Sequence, residues 1–230
     1  MNLENTQTLK NLCHAYAMET LDGARYQFVR QQVKQKGMQF LANTLKMLAA
    51  NEMAHAKVLF DLITDKCKKS VPKCEIKMTY PLEADGGDTV ETFRILAEVE
   101  KQEGERIYKK FAETARKEGF EIIAKFFDML GEVEREHAML LTKIHEGLKA
   151  GTLYSSERDM RWKCVSCGFE AVGTSAWKTC TLCGAAQGYC MTPALIMTES
   201  DIKTQSVTQA GANRKMPSSA AAKTKPRVTT

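Results

Sequence analysis

Two Glu-x-x-His pairs stand out as residues able to do chemistry: Glu52 with His55, and Glu134 with His137. A carboxylate and an imidazole three positions apart on a helix lie on one face, and together they form a donor pair suited to a first-row metal ion. Around the first pair, Leu41, Leu45, Leu48, Glu52, His55, Leu59 and Leu62 recur at alternating spacings of 4 and 3, the apolar seam of a helix packed in a bundle. The seam places Glu52 and His55 in the interior. An ionised carboxylate there is costly unless compensated, and a metal ion held by both side chains is the most economical compensation.

The same phrase occurs twice. Aligned without a gap, Gly37 matches Gly119, Ala42 matches Ala124, Met47-Leu48 matches Met129-Leu130, Glu52 matches Glu134 and His55-Ala56 matches His137-Ala138. The second seam is Ile123, Phe127, Leu130, Glu134, His137, Leu141 and Ile144. One helix length upstream of each repeat stands a further acid: Glu19 lies 33 residues before Glu52, and Glu100 lies 34 before Glu134. Glu19 has its own seam of Leu12, Ala15, Tyr26 and Val33, and Glu103 follows Glu100 by one turn. A Glu from each of two helices plus a Glu-x-x-His from each of two others is the pattern of ferritin-like di-iron or di-manganese carboxylate bundles.

Four helices must position these residues. The first is expected from Thr6 or Thr8 to about Lys36, where Gly37 supplies a stop, and the second to near Lys66. Residues 67–87 carry Pro72, Pro81 and Gly86-Gly87, which breaks helical periodicity and suits a crossover along the bundle. Asp88-x-x-Glu91 resembles a capping pair for the third helix, which ends at Gly119; the fourth runs to about Lys149, before Gly151. Each helix of roughly 30 residues spans ~45 Å. Residues 1–150 are thus expected to form the bundle and 151–160 a polar connector.

Composition then changes sharply. Both tryptophans and Cys164-x-x-Cys167, twelve residues and Cys180-x-x-Cys183, each pair followed by Gly, fall within 161–195. Two such knuckles place four thiolates around one tetrahedral metal, and so short a segment needs that staple to fold. No charged-then-apolar leader opens the sequence and no apolar run approaches the ~18 residues of a membrane span, so a cytoplasmic protein with no membrane association is expected. Residues 196–230 read as a disordered basic tail. From residue 201 on, Lys203, Arg214, Lys215, Lys223, Lys225 and Arg227 against Asp201 carry the same +5 as the whole 230-residue chain. The remainder is near neutral, and nucleic acid is not an expected partner.

A mainly α, ferritin-like four-helix bundle bearing Glu19, Glu52-x-x-His55, Glu100-x-x-Glu103 and Glu134-x-x-His137, followed by a small rubredoxin-like metal-knuckle domain with WKCVSCG and CTLCG, resembles the rubrerythrins. The resemblance covers roughly residues 8–192. It implies that Glu19, Glu52, His55, Glu100, Glu103, Glu134 and His137 bind two non-haem irons, and that Cys164, Cys167, Cys180 and Cys183 bind one further iron. It also implies that Tyr26 and Tyr108 hydrogen-bond ligand carboxylates, that His55 and Glu103 exchange on one iron with oxidation state, and that the thiolate iron of one subunit serves the di-iron site of a partner in a head-to-tail homodimer.

The implied activity is reduction of hydrogen peroxide to water for protection against oxidative stress, with electrons from a rubredoxin or an NAD(P)H-dependent reductase passing through the thiolate iron. The alternative is a ferritin-like ferroxidase that stores iron, with a structural zinc ribbon as an interaction module. The second knuckle carries Thr181 where rubredoxin types carry proline, which keeps zinc open at that site. Cys13, Cys67, Cys74 and Cys190 lie outside the pattern and are expected as reduced thiols, and His14 and His145 as surface residues.

Overall fold

A computed structural model describes residues 3–66, 75–81 and 88–191; Pro72, Gly86-Gly87, Cys67, Cys74 and the basic tail lie outside these residues. Helices α1 (Gln7–Gln35) and α2 (Gln39–Lys66) form one antiparallel pair. A second pair is built from α3 (Thr89–Gln102), a π turn (Glu103–Ile107), α4 (Tyr108–Lys117) and α5 (Glu121–Lys149). The Thr6 hydroxyl caps α1 by accepting from the Leu9 amide at 3.1 Å. Asp88 caps α3 by accepting from the amides of Val90 at 2.9 Å and Glu91 at 3.4 Å. Glu91 does not complete a capping box; it binds Arg94 instead, one turn on, at 2.7 Å.

The interior is two apolar cores with a polar layer between them. One core contains Leu12, Met18, Leu59, Phe111, Phe127 and Leu130, the other Val33, Leu41, Leu48, Phe93, Leu141 and Ile144. Glu19, Glu52, Glu100 and Glu134, each at most 1% exposed, occupy the layer where the two cores meet.

The third helix departs from expectation. Its regular i+4 ladder is interrupted at Glu103–Ile107, where the Tyr108 amide donates five residues back to Glu103 instead of four back to Gly104. The guanidinium of Arg135 supplies the lost partner, donating to the Gly104 carbonyl at 2.8 Å. Because the turn holds one extra residue, Glu100, Glu103 and Tyr108 all reach the interior, although Glu103 and Tyr108 are five positions apart. Close approach makes it possible: a Cβ on Gly104 would lie 2.8 Å from the Gly131 carbonyl oxygen and 2.9 Å from the Arg135 nitrogen.

The C-terminal part is a three-stranded antiparallel sheet in the order β2 (Glu170–Ser175), β1 (Ser155–Cys164), β3 (Cys190–Met191). Strand β1 begins at Ser155, inside the stretch expected to be connector. Trp162, 1% exposed, donates from Nε1 to the Gly173 carbonyl at 2.9 Å and anchors a core of a few residues with Ala176 and Cys190. The 3-10 turn Gln187–Tyr189 packs on the start of α2, so closely that a Cβ on Gly188 would collide with the Gly37 carbonyl. One expectation is corrected here: Cys13 is not a reduced thiol but disulfide-bonded. Cys190 is free and buried.

The packing of the π turn gives a first prediction. Gly104→Ala places a methyl against backbone that cannot rotate away, so it should cost about 1–3 kcal/mol of stability. The shift in urea midpoint checks this; an unchanged midpoint would show that the turn is not held where described.

Candidate metal centres

Each helix delivers its polar residues to the central layer by the heptad-like spacing of its own seam. Single ligand atoms from Glu19, Glu52, His55 and Glu134 lie within 4.8 Å of one another, and so do those from Glu52, Glu100, Glu134 and His137. Glu52 and Glu134 belong to both clusters, which is the arrangement of two bridging carboxylates between two cations. His55 Nδ1 lies 3.0 Å from both Glu19 and Glu52 and 3.3 Å from Glu134. His137 Nδ1 lies 2.8 Å from Glu134, 3.1 Å from Glu52 and 3.6 Å from Glu100. Tyr26 donates to Glu100 and Tyr108 to Glu19, so each non-shared carboxylate is oriented by a buried phenol.

These donors fit metal better than they fit each other. Glu52 Oε1, Glu100 Oε2, both Glu134 oxygens and His137 Nδ1 are buried without a hydrogen bond, although they sit at contact distance. Atoms that converge without hydrogen-bond alignment share a point between them, which is what a cation would occupy. The metal-free electrostatics agree. Burial pushes the Glu19 and Glu100 carboxyls well above the usual range. Burial also works against ionising Glu134, but contacts with His137 and His55 hold it down at about 2. Burial would lower His55 as well, yet Glu134, Glu19 and Glu52 push it up to about 12. Protonated imidazoles thus stand in for cations.

Glu103 is placed differently. It is 5% exposed and beside the cluster, yet it is not among the converging donors; burial and the neighbouring Asp22 and Glu100 push its carboxyl well up. The two histidines also differ. His137 has its second ring nitrogen 3.3 Å from the Asn51 amide and a side chain 7% exposed. The His55 side chain is 18% exposed, and its Nε2 has no hydrogen-bond partner among the described residues.

Sequence reading missed Asn51, Arg135 and a buried group on α1. Asp22, 1% exposed, binds Arg25 at 2.5 Å and accepts from the Tyr80 hydroxyl at 2.9 Å, and the Arg25 guanidinium lies 4.7 Å above the Tyr80 ring. A signal existed, because Asp22 lies three residues after Glu19 and four before Tyr26, on their seam. Asn51 had none, since only the fold brings it to His137. His14 and His145 are not the surface residues expected: His14 is half-buried, its ring 5.7 Å from that of Phe111, and His145 Nδ1 lies 3.0 Å from the Val90 carbonyl oxygen.

The knuckles hold the second centre. Cys164 Sγ lies 3.8 Å from Cys183 Sγ, and Cys167 Sγ lies 3.7 Å from Cys180 Sγ. A tetrahedron with metal–sulfur bonds of about 2.3 Å has edges of about 3.8 Å, so the thiols already stand at the vertices. The amides of Gly168 and Gly184 close the knuckles onto the carbonyls of Cys164 and Cys180 at 2.9 Å, with φ of 79° and 75° that favour glycine. The backbone amide of Ala185 faces Cys183 and holds its thiol down at about 7.

Fold and site together define a ferritin-like di-metal carboxylate bundle carrying a rubredoxin-like four-cysteine centre. The rubrerythrin family model matches residues 10–145 and 98–162. A relative from Methanocaldococcus jannaschii is 33% identical over 187 residues, covering 80% of this chain and 91% of its own. The rubrerythrin of Clostridium perfringens is 29% identical over 188 residues, covering 82% and 95%. A solved nigerythrin in a partially reduced state superposes with a TM-score of 0.52 at 20% identity, covering 83% of this chain and 92% of its own, a likeness of fold. This chain belongs to the rubrerythrin family.

Two outcomes follow from the geometry. Metal loading must displace protons from the raised histidines and from Glu19 and Glu100, so loading should release protons and weaken as pH falls. Calorimetric titration of metal-free protein with ferrous ion, in two buffers of different ionisation enthalpy, reads the release; none would contradict the site. Asn51→Leu removes the partner of His137 and should weaken one of the two metals ~10- to 100-fold, which competition with a chelator would measure; equal affinity would show that Asn51 is idle.

Proposed function

We propose that this chain is a non-haem di-iron peroxidase that reduces hydrogen peroxide to water, with electrons relayed through a mononuclear iron at Cys164, Cys167, Cys180 and Cys183. The observation that carries the reading is the position of Glu103: a buried carboxylate held by a π turn next to the donor cluster, while His55 occupies the cluster itself. A plain iron-storing bundle has no use for a seventh donor there. Two ferrous ions held by these residues would supply the two electrons that cleave an O–O bond.

The residues then divide the work. Glu52 and Glu134 would bridge, Glu19 and Glu100 would each hold one metal, and Tyr108 and Tyr26 keep those two carboxylates aimed. His137, anchored by Asn51, is the fixed imidazole. His55, with one nitrogen unrestrained, would be the more readily released ligand, and Glu103 would offer the carboxylate that a harder ferric charge favours. Tyr26 and Tyr108 are in addition the nearest O–H groups to the ligand carboxylates and can hold protons there.

Re-reduction is the task of the thiolate centre. Its 3-10 turn sits at Gly37, and Glu52 lies 15 residues further along α2, about 20 Å at the helical rise. So long a gap within one subunit supports delivery to a partner's bundle in a head-to-tail homodimer. Tyr16, Leu21, Phe28, Met47, Met53 and Phe60, all at least 37% exposed on α1 and α2, offer an apolar face for such a partner. A rubredoxin or an NAD(P)H-dependent reductase is the proposed donor. No helix among the described residues is long and apolar enough to cross a membrane, which fits a proposed cytoplasmic location.

Paired variants test the division of labour. Cys180→Ser should abolish steady-state peroxide turnover but leave single-turnover oxidation of the chemically reduced bundle intact. Glu103→Ala should keep both irons yet lower peroxide consumption per bound iron at saturating reductant. Unimpaired turnover in Cys180→Ser, or equal consumption in Glu103→Ala, would favour an iron-storing bundle with a structural zinc ribbon.

A further inference from the structure

A cavity of about 510 Å³ lies between α1, α3 and the crossover residues 77–81. Its wall includes Met18 from α1, Ile95 and Val99 from α3, Glu103 at the start of the π turn, and Met78 and Tyr80 from the crossover. Hydrogen peroxide is close to water in size, and a water's share of liquid volume is about 30 Å³. The cavity is therefore more than ten times what that substrate needs, and it falls in the range of roughly 300–1,000 Å³ typical of organic-ligand sites.

Described contacts anchor its roof. Tyr80 donates to Asp22 at 2.9 Å and stacks under Arg25, whose guanidinium also reaches the Pro81 carbonyl at 3.5 Å. Both anchoring residues are at most 5% exposed. Ile95 and Val99, two turns and one turn before Glu103, place an apolar stripe between the polar Arg94, Glu98 and Gln102 of the same helix, and Glu103 borders both the cavity and the donor cluster. A molecule with its polar head at Glu103 would lay an apolar body along α3.

We infer that this cavity receives the organic group of an alkyl hydroperoxide, so that the bundle reduces such hydroperoxides as well as hydrogen peroxide. The inference rests on the peroxidase reading above. The step balances as one hydroperoxide, two electrons and two protons giving one alcohol and one water. The O–O bond breaks, the two ferrous ions supply the electrons, the distal oxygen leaves as water, and the organic group departs as alcohol.

Cumene hydroperoxide and its product 2-phenyl-2-propanol are the probes, and Ile95→Trp fills the cavity away from the ligands. In wild type both peroxides should oxidise the reduced protein. In Ile95→Trp, kcat/KM for cumene hydroperoxide should fall by about tenfold or more, while that for hydrogen peroxide stays within about twofold; Ile122→Trp, on an exposed face of α5, should change neither. Independently of turnover, 2-phenyl-2-propanol added to the full chain loaded with diamagnetic zinc should shift the 13C-methyl resonances of Met18 and Met78 but not those of the exposed Met129 and Met139.

An unshifted Met18, or equal loss of both peroxides in Ile95→Trp, overturns the inference. Reduction of hydrogen peroxide alone by wild type overturns it while leaving the peroxidase reading in place. Inertness to both peroxides overturns the two together.

Discussion

Four carboxylates buried in one layer are the constraint on which this structure turns. Glu19, Glu52, Glu100 and Glu134 are withdrawn from water between two apolar cores, where their mutual repulsion and lost hydration would be prohibitive without positive charge. In metal-free protein two imidazoles raised by their neighbours provide it. Metal ions would provide it better, because several donor atoms already point at shared positions without hydrogen bonding to one another. The helices can therefore pack fully only when the layer is neutralised, and metal binding becomes part of the folding free energy.

From that constraint the differences between the two halves acquire meaning. The internal repeat would give a symmetric site, yet His137 is braced by Asn51 and His55 is not. The π turn adds Glu103, a buried carboxyl beside the donor cluster. Gly104, Gly131 and Arg135 maintain that turn without touching a ligand atom, by close approach and by one hydrogen bond to an otherwise unpartnered carbonyl. The proposed exchange at one metal would thus rest on the backbone of the third helix as much as on the ligand list.

How much of this could be read from the sequence divides along physical lines. The helices, the caps at Thr6 and Asp88, the gathering of the two Glu-x-x-His pairs with Glu19 and Glu100, and the thiolate tetrahedron all follow from periodicity or from short spacing, which a linear sequence carries. The π turn did not, because seam counting assumes 3.6 residues per turn; a spacing of five from Glu103 to Tyr108 and a mid-helix Gly104 were the only traces. Asn51, Tyr80 and the disulfide at Cys13 depend on contacts between segments far apart in sequence. His14 and His145 were misjudged for the same reason. Off the ligand seam does not mean on the surface, because His14 lines a cavity with the crossover and meets Phe111, and His145 meets α3.

The central proposal is a protein that holds two iron centres of different kinds between which electrons pass. Mössbauer spectroscopy of 57Fe-enriched protein, prepared anaerobically, reduced and then treated with one equivalent of peroxide, tests it most directly. The account predicts a ferrous pair that converts to a coupled diferric pair, together with a separate tetrahedral thiolate iron that cycles with it under reductant. Zinc in the thiolate site, or mononuclear iron alone in the bundle, would contradict it.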